Sequence, residues 1–181
     1  MLRVPASGYD IKTAFNEGAR YFWSAELSQI YPALQKMEKH GWLKSRREPS
    51  PKGPDRRIYR RTAKGTEELR QWLLSGPVMG TERFAYIAQL IFFGEVDDLE
   101  RSRQFLAALR KQLHAFYELL KSAEKDLRQI HPDFPNDLNS VELHEYISLR
   151  LGVRSLKAKV TVCDEGLELI TARLARETSH V

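Results

Sequence analysis

Apolar side chains recur at helical spacing through most of the chain, and the rhythm changes character near residue 76. Ile11, Ala14 and Phe15 form the first helical set, preceded by Ser7. Leu27, Ile30, Leu34 and Met37 then recur at steps of three, four and three, one buried stripe of a second helix. Ser24 stands where an N-cap would, since its hydroxyl can satisfy orphan backbone N–H groups, and Gly41 ends that helix. Pro32 removes one helical hydrogen bond inside it. Two strand-like runs, 42–48 and 57–61, flank a Pro/Gly-rich loop and predict a β-hairpin. Thr62, with Gly65 and Glu67 nearby, starts a helix that runs through Leu69, Trp72 and Leu73. Helix, helix, hairpin, helix is the order of a winged helix-turn-helix.

Gly76 and Pro77 break the pattern, so the boundary is placed there. Phe84, Tyr86, Ile87, Leu90, Ile91, Phe92 and Phe93 follow in one dense apolar segment, expected to be a helix buried on most sides between head and arm. Beyond it, Leu106, Leu109, Leu113, Phe116, Leu120, Ala123, Leu127 and Ile130 step by threes and fours. The rhythm returns from Tyr146 through Leu149, Val153, Leu156, Val160, Cys163, Leu167 and Ile170 to Leu174. Steps averaging about 3.5 residues mark coiled-coil-like seams. Pro132 and Pro135 between them turn the chain back, so the helices 99–130 and 141–175 should run antiparallel.

The predicted fold is therefore mostly α with a small β-hairpin. A winged helix-turn-helix spans 1–76, and an antiparallel long-helix, coiled-coil-like dimerisation domain spans 81–181. Phe105, Ala108 and Leu119 in one long helix, and Leu143, Ile147 and Leu169 in the other, lie beside the seam rather than opposite it. That makes an apolar face wider than two helices need, and a homodimer interface carrying Leu143, Ile147, Phe105 and Leu119 is expected.

Charge sharpens the division. Residues 1–80 carry 15 Lys and Arg against 8 Asp and Glu, a net of +7, whereas residues 81–181 carry 14 against 16, a net of −2. A basic head on a neutral body suits a polyanion-binding protein. With its core stripe inward, the second helix presents Ser28, Pro32, Gln35, Lys36 and Lys39 outward, with Gln29 and Tyr31 on the flanks. Hydroxyl and amide groups can read base edges while lysines reach phosphates. Arg46, Arg47, Lys52, Arg56, Arg57, Arg60 and Arg61 cluster around the hairpin tip, where cations neutralise phosphates or enter a minor groove.

Four segments in these elements carry a resemblance. Ser7-Gly8-Tyr9-Asp10-Ile11, Tyr21-Phe22-Trp23-Ser24-Ala25, Ser28-Gln29-Ile30-Tyr31-Pro32-Ala33-Leu34 and Pro54-Asp55-Arg56-Arg57-Ile58-Tyr59 resemble the PadR family of transcriptional regulators, in that family's order. The long-helix half resembles the C-terminal domain of its AphA-type virulence activators, by layout more than by motif. The resemblance implies a dimeric, sequence-specific DNA-binding regulator, usually a repressor, acting on an inverted-repeat operator. It puts Ser28, Gln29 and Tyr31 on the recognition helix, and Lys52 and Arg56 on the wing. Some members release DNA when a small aromatic acid or a drug-like compound binds, so such an effector is a candidate partner; others have no known ligand. Members normally carry a full helix before the Ser-Gly-Tyr motif. Only six residues precede Ser7 here and Pro5 disfavours a helix, so that element is expected to be absent or very short, leaving the surface around Ile11, Phe15 and Trp42 partly exposed or covered by a partner chain.

No enzymatic constellation is present. His40, His114, His131, His144 and His180 are scattered, and Glu142, His144 and Glu145 point apart on a helix, so no metal and no cofactor is expected. The single cysteine, Cys163, falls on the apolar seam as a structural thiol. One cysteine, no apolar membrane-length run and no leader-like start give an expectation of a cytoplasmic protein. Tyr9, Tyr21, Phe22, Trp23, Trp42 and Trp72 are expected mainly as core, with an effector pocket as the alternative. A winged-helix module for protein–protein contact, with no operator of its own, is the competing functional class.

Overall fold

The computed structural model describes residues 4–14, 26–49, 55–80 and 84–178. They fall into two compact units, 1–81 and 82–181.

The first unit opens with a two-residue strand, β1 (Ala6–Ser7), and a short helix, α1 (Gly8–Ala14). Ser7 caps α1 reciprocally. Its hydroxyl accepts from the Asp10 N–H at 3.2 Å, and the Asp10 carboxylate accepts from the Ser7 N–H at 2.8 Å. Helix α2 (Leu27–Lys39) buries Ile30 and Leu34 and half-buries Leu27 and Met37, the stripe read from the sequence. Ser24 lies outside the described residues, and the cap is Glu26, whose N–H donates to Gln29 Oε1 at 3.1 Å. Gly41 ends the turn after α2 at φ 75°, a left-handed value that favours glycine.

Strands β2 (Leu43–Glu48) and β3 (Arg56–Arg61) pair antiparallel from Leu43 opposite Arg61 to Glu48 opposite Arg56. β1 adds to the other edge of β3, Ala6 opposite Tyr59 and Ser7 opposite Ile58, giving the order β1-β3-β2. This third strand is absent from the sequence expectation, because two residues carry no period. Helix α3 (Ala63–Leu74) begins at Thr62, whose hydroxyl accepts from the Gly65 N–H at 3.0 Å. Gly65 passes so close to the Trp42 backbone that a Cβ there would overlap its carbonyl oxygen. Ile30, Leu34, Leu43 and Tyr59 make the core, with Ile11 and Met37 packed against it.

Ile11 and Trp42 are half-buried, and Phe15 lies outside the described residues. The expectation that the head aromatics are core fails for Tyr9 and Trp72, which sit on outward faces of α1 and α3 and are exposed. Tyr21, Phe22 and Trp23 lie outside the described residues.

The second unit holds α4 (Ala85–Phe92), a 3-10 turn over Phe93–Val96, α5 (Leu99–Ile130) and α6 (Ser140–Thr178). Arg110 pairs with Asp164, Arg128 donates to the Tyr146 hydroxyl at 3.4 Å, and Leu106 lies against Gly166. Higher numbers on α5 meet lower numbers on α6, so the long helices are antiparallel. Leu106, Leu113 and Leu120 bury against Tyr146, Val153, Leu156, Val160 and Cys163 on the facing helix. Each such side chain contributes about 1.5–3 kcal/mol when fully removed from water. Burial pushes the Cys163 thiol up, which suits a packing residue and not a nucleophile. Helix α4 differs from the expectation of burial on most sides. None of its residues is buried, and Ile87, Leu90, Ile91 and Phe92 are exposed, because among the described residues only one side of this short helix has cover.

Candidate nucleic-acid interface

Helix α2 is the element whose chemistry stands out. Its core stripe turns Ser28, Gln29, Tyr31, Gln35, Lys36 and Lys39 to the surface, and all six are exposed. Lys36 and Lys39 occupy the last turn, where cations oppose the negative end of the helix dipole. The first turn is less free. Gln29 already spends its side-chain oxygen on the Glu26 N–H, while Glu26 takes the Lys12 ammonium at 2.7 Å. The Tyr31 ring lies over Gly8 of α1, half in solvent.

The hairpin stacks like charges. Lys44 stands directly opposite Arg60, and Arg47 opposite Arg57. Opposed like charges on adjacent strands destabilise the pair by a few tenths of a kcal/mol or more, roughly 0.2–1 kcal/mol. Arg46 is answered locally by Glu48, 2.7 Å from its Nε. Arg57 turns to α2, with Nη2 donating to Glu38 Oε2 at 2.7 Å. The Ser45 hydroxyl donates to Glu38 Oε1 at 2.6 Å, and this bond, helped by Arg57 against the opposing effect of burial, holds the Glu38 carboxyl below its usual range. The Ser7 N–H and hydroxyl likewise lower the Asp10 carboxyl, with a smaller contribution from the charge of Arg56.

Arg56 is exposed at the start of β3, and Lys52 lies outside the described residues. Among the described residues, Lys36, Lys39, Lys44, Arg47, Arg56 and Arg60 make no ion pair. The sequence missed the Glu38–Ser45–Arg57 network, since residues so far apart in the chain leave no periodic mark.

In the second unit, Leu119, Leu143 and Ile147 are exposed beside the seam, while Phe105 is half-buried against Phe93, ring centroids 4.9 Å apart. Tyr146, Ile147, Arg150, Leu151 and Arg154 line a shallow groove on α6. No three His, Cys, Asp or Glu side chains among the described residues are grouped to hold a metal ion. No helix among them is long and apolar enough to cross a membrane.

The model of the transcriptional regulator PadR-like family matches residues 1–71, which holds every element of the head but the end of α3. Negative transcriptional regulator PadR of Bacillus subtilis (strain 168) is 31% identical over 135 residues, covering 71% of this chain and 74% of its own. The chain belongs to the PadR-like family of transcriptional regulators. This PadR-like fold matches the crystal structure of Bacillus subtilis PadR in complex with operator DNA at TM-score 0.71 and 24% identity, over 93% of this chain and 92% of that one. The same Bacillus subtilis protein in complex with p-coumaric acid matches at TM-score 0.68 and 25% identity, over 92% and 91%. The Vibrio cholerae virulence activator AphA matches at TM-score 0.66 and 24% identity, over 93% and 92%, so the AphA-like layout read from the long helices holds as a fold.

Proposed function

We propose that this PadR-like regulator binds an inverted-repeat duplex as a homodimer, with α2 in the major groove and the hairpin along the backbone. The observation that carries this reading is the division of α2 into a buried apolar stripe and an exposed face of hydroxyl, amide and lysine groups, beside a hairpin where Lys44 opposes Arg60 and neither makes an ion pair among the described residues. In this reading Ser28, Tyr31 and Gln35, all exposed on α2, meet base edges. Gln35 is better suited than Gln29 to a bidentate contact with adenine, because that contact needs both amide atoms and Gln29 uses its oxygen as a cap. Lys36, Lys39, Lys52 and Arg56 serve phosphates.

The role of Bacillus subtilis PadR as a negative transcriptional regulator and its complex with operator DNA support repression as the mode. The complex with p-coumaric acid supports a small aromatic acid as the class of effector. The work of such a protein lies with the chromosome, in the cytoplasm. Nothing in this reading asks for catalysis or a cofactor. The second unit supplies the two-fold contact through Leu119, Leu143 and Ile147, with Phe105 at its edge, and two copies of α2 then face successive major grooves.

Selection of bound sequences from a random duplex pool tests the proposal. An inverted repeat is expected, with binding that weakens steeply as salt rises. A protein that shifts no duplex at low salt is the outcome expected of a protein–protein module instead, and it would sink this reading.

A further inference from the structure

Arg56 and Arg57 enter β3 side by side, and successive strand residues point to opposite faces of the sheet. Arg56 is exposed and makes no ion pair among the described residues. Arg57, exposed as well, is held by bonds. Its Nη2 donates to Glu38 Oε2 at 2.7 Å and its Nε to Ser45 Oγ at 2.7 Å, while the Ser45 hydroxyl donates to Glu38 Oε1 at 2.6 Å. Its guanidinium also lies 5.5 Å from the centroid of the Tyr59 ring, the most deeply buried side chain of the head. Three side chains thus close a ring that joins the last turn of α2 to both strands of the hairpin. Both oxygens of Glu38 are used in it.

Resting on the reading that this head binds duplex DNA, we propose that Glu38 is a positioning residue that withholds Arg57 from phosphate and fixes the hairpin to the end of α2. A free arginine at the hairpin stem would follow any phosphate within reach, and the wing would take its pose from the backbone of whatever duplex it met. With Arg57 paired internally, the pose belongs to the protein and is set before DNA arrives. Phosphate contacts set register and orientation without reading sequence, so a wing held at a fixed angle to α2 makes orientation a condition of fit. The placement also separates neighbouring arginines by role: Arg56 is available to phosphate and Arg57 is not.

The test measures binding of the full-length protein to a random-sequence duplex and to the duplex recovered by selection, across a salt series. Three proteins are compared: wild type, Glu38→Gln and Arg57→Gln. Glu38→Gln releases a cation, so random-duplex affinity should rise and the salt slope should steepen by about one unit. The ratio of selected to random affinity should fall about tenfold, the scale of one lost base-pair discrimination. Arg57→Gln should leave the wild-type slope unchanged while lowering the same ratio. That arm stands alone if circular dichroism shows Glu38→Gln unfolded. A slope shallower by about one unit in Arg57→Gln means Arg57 contacts phosphate and overturns the proposal, as does an unchanged slope in folded Glu38→Gln. A wild-type protein that binds neither duplex is a different result: it overturns the DNA-binding reading, and the role of Glu38 with it.

Discussion

The ring of Tyr31 covers Gly8 so closely that a Cβ there would stand 2.6 Å from Cε1. The ring is half in solvent, so it can swing aside and the core can stay in place. Gly8→Ala should therefore cost only about 1 kcal/mol, at the low end for overpacking, yet displace a side chain proposed to meet bases. Stability by urea titration should change little while the selected sequence changes at one position of each half-site. An unaltered selected sequence would remove Tyr31 from base reading.

Lys44 and Arg60 face each other across the hairpin with no carboxylate described beside them. Stability and function should accordingly move in opposite directions on removing one. Lys44→Gln should stabilise the hairpin by roughly 0.5 kcal/mol through lost repulsion. The same change should weaken duplex binding and reduce the salt slope by about one unit. Lower stability with unchanged binding would show that the opposed cations pack against something and do not await phosphate.

The stripe Leu27–Met37, the Thr62 cap, the Gly41 stop and both long helices are legible in the sequence because each rests on a period or a local rule. What escapes is non-local or too short to have a period. Ala6 and Ser7 become a strand only because β3 offers a free edge. Glu38 reads as one more surface charge on α2 until β2 and β3 bring Ser45 and Arg57 beside it. The dense run Phe84–Phe93 suggests burial from composition alone, yet composition does not say which chain covers it. Phe105 follows the same logic, since its partner Phe93 lies across the turn before α5.

The carboxyls of Asp10 and Glu38 are held below their ordinary values of 3.8 and 4.5 in the folded head. The unfolded chain therefore takes up these protons first as pH falls. The stabilisation is complete above about pH 5 and is lost as pH falls through the depressed folded-state values. Trp23, Trp42 and Trp72 are the three tryptophans of the chain and all precede residue 77, so their fluorescence follows this unit in the intact protein. Its melting temperature should drop between about pH 5 and pH 3, and Glu38→Gln should make that drop shallower. A drop of the same size in the variant would mean that Glu38 does not contribute.

On α6 the seam toward α5 uses Tyr146, Val153, Leu156, Val160 and Cys163, which leaves Leu143, Ile147 and Leu151 one above another on a different face. Leu143 is 40% exposed, Ile147 51% and Leu151 69%, and Leu119 on α5 is 58% exposed. Apolar side chains aligned this way form a continuous surface, and soluble monomers seldom show contiguous apolar patches beyond a few hundred Å², roughly 300–600 Å² at most. The proposed two-fold contact covers it. Charges at Leu113 or Val160 would not test this, because both are buried in the chain's own seam and their loss would unfold it. Leu143→Glu with Ile147→Glu is the cleaner change, since neither side chain is needed between α5 and α6. Light scattering should show the mass halving at micromolar concentration, while circular dichroism keeps most of its helical signal. Duplex affinity should fall as well, because each half-site is then held by one α2 alone. A wild-type protein that already runs as a monomer at that concentration would refute this interface.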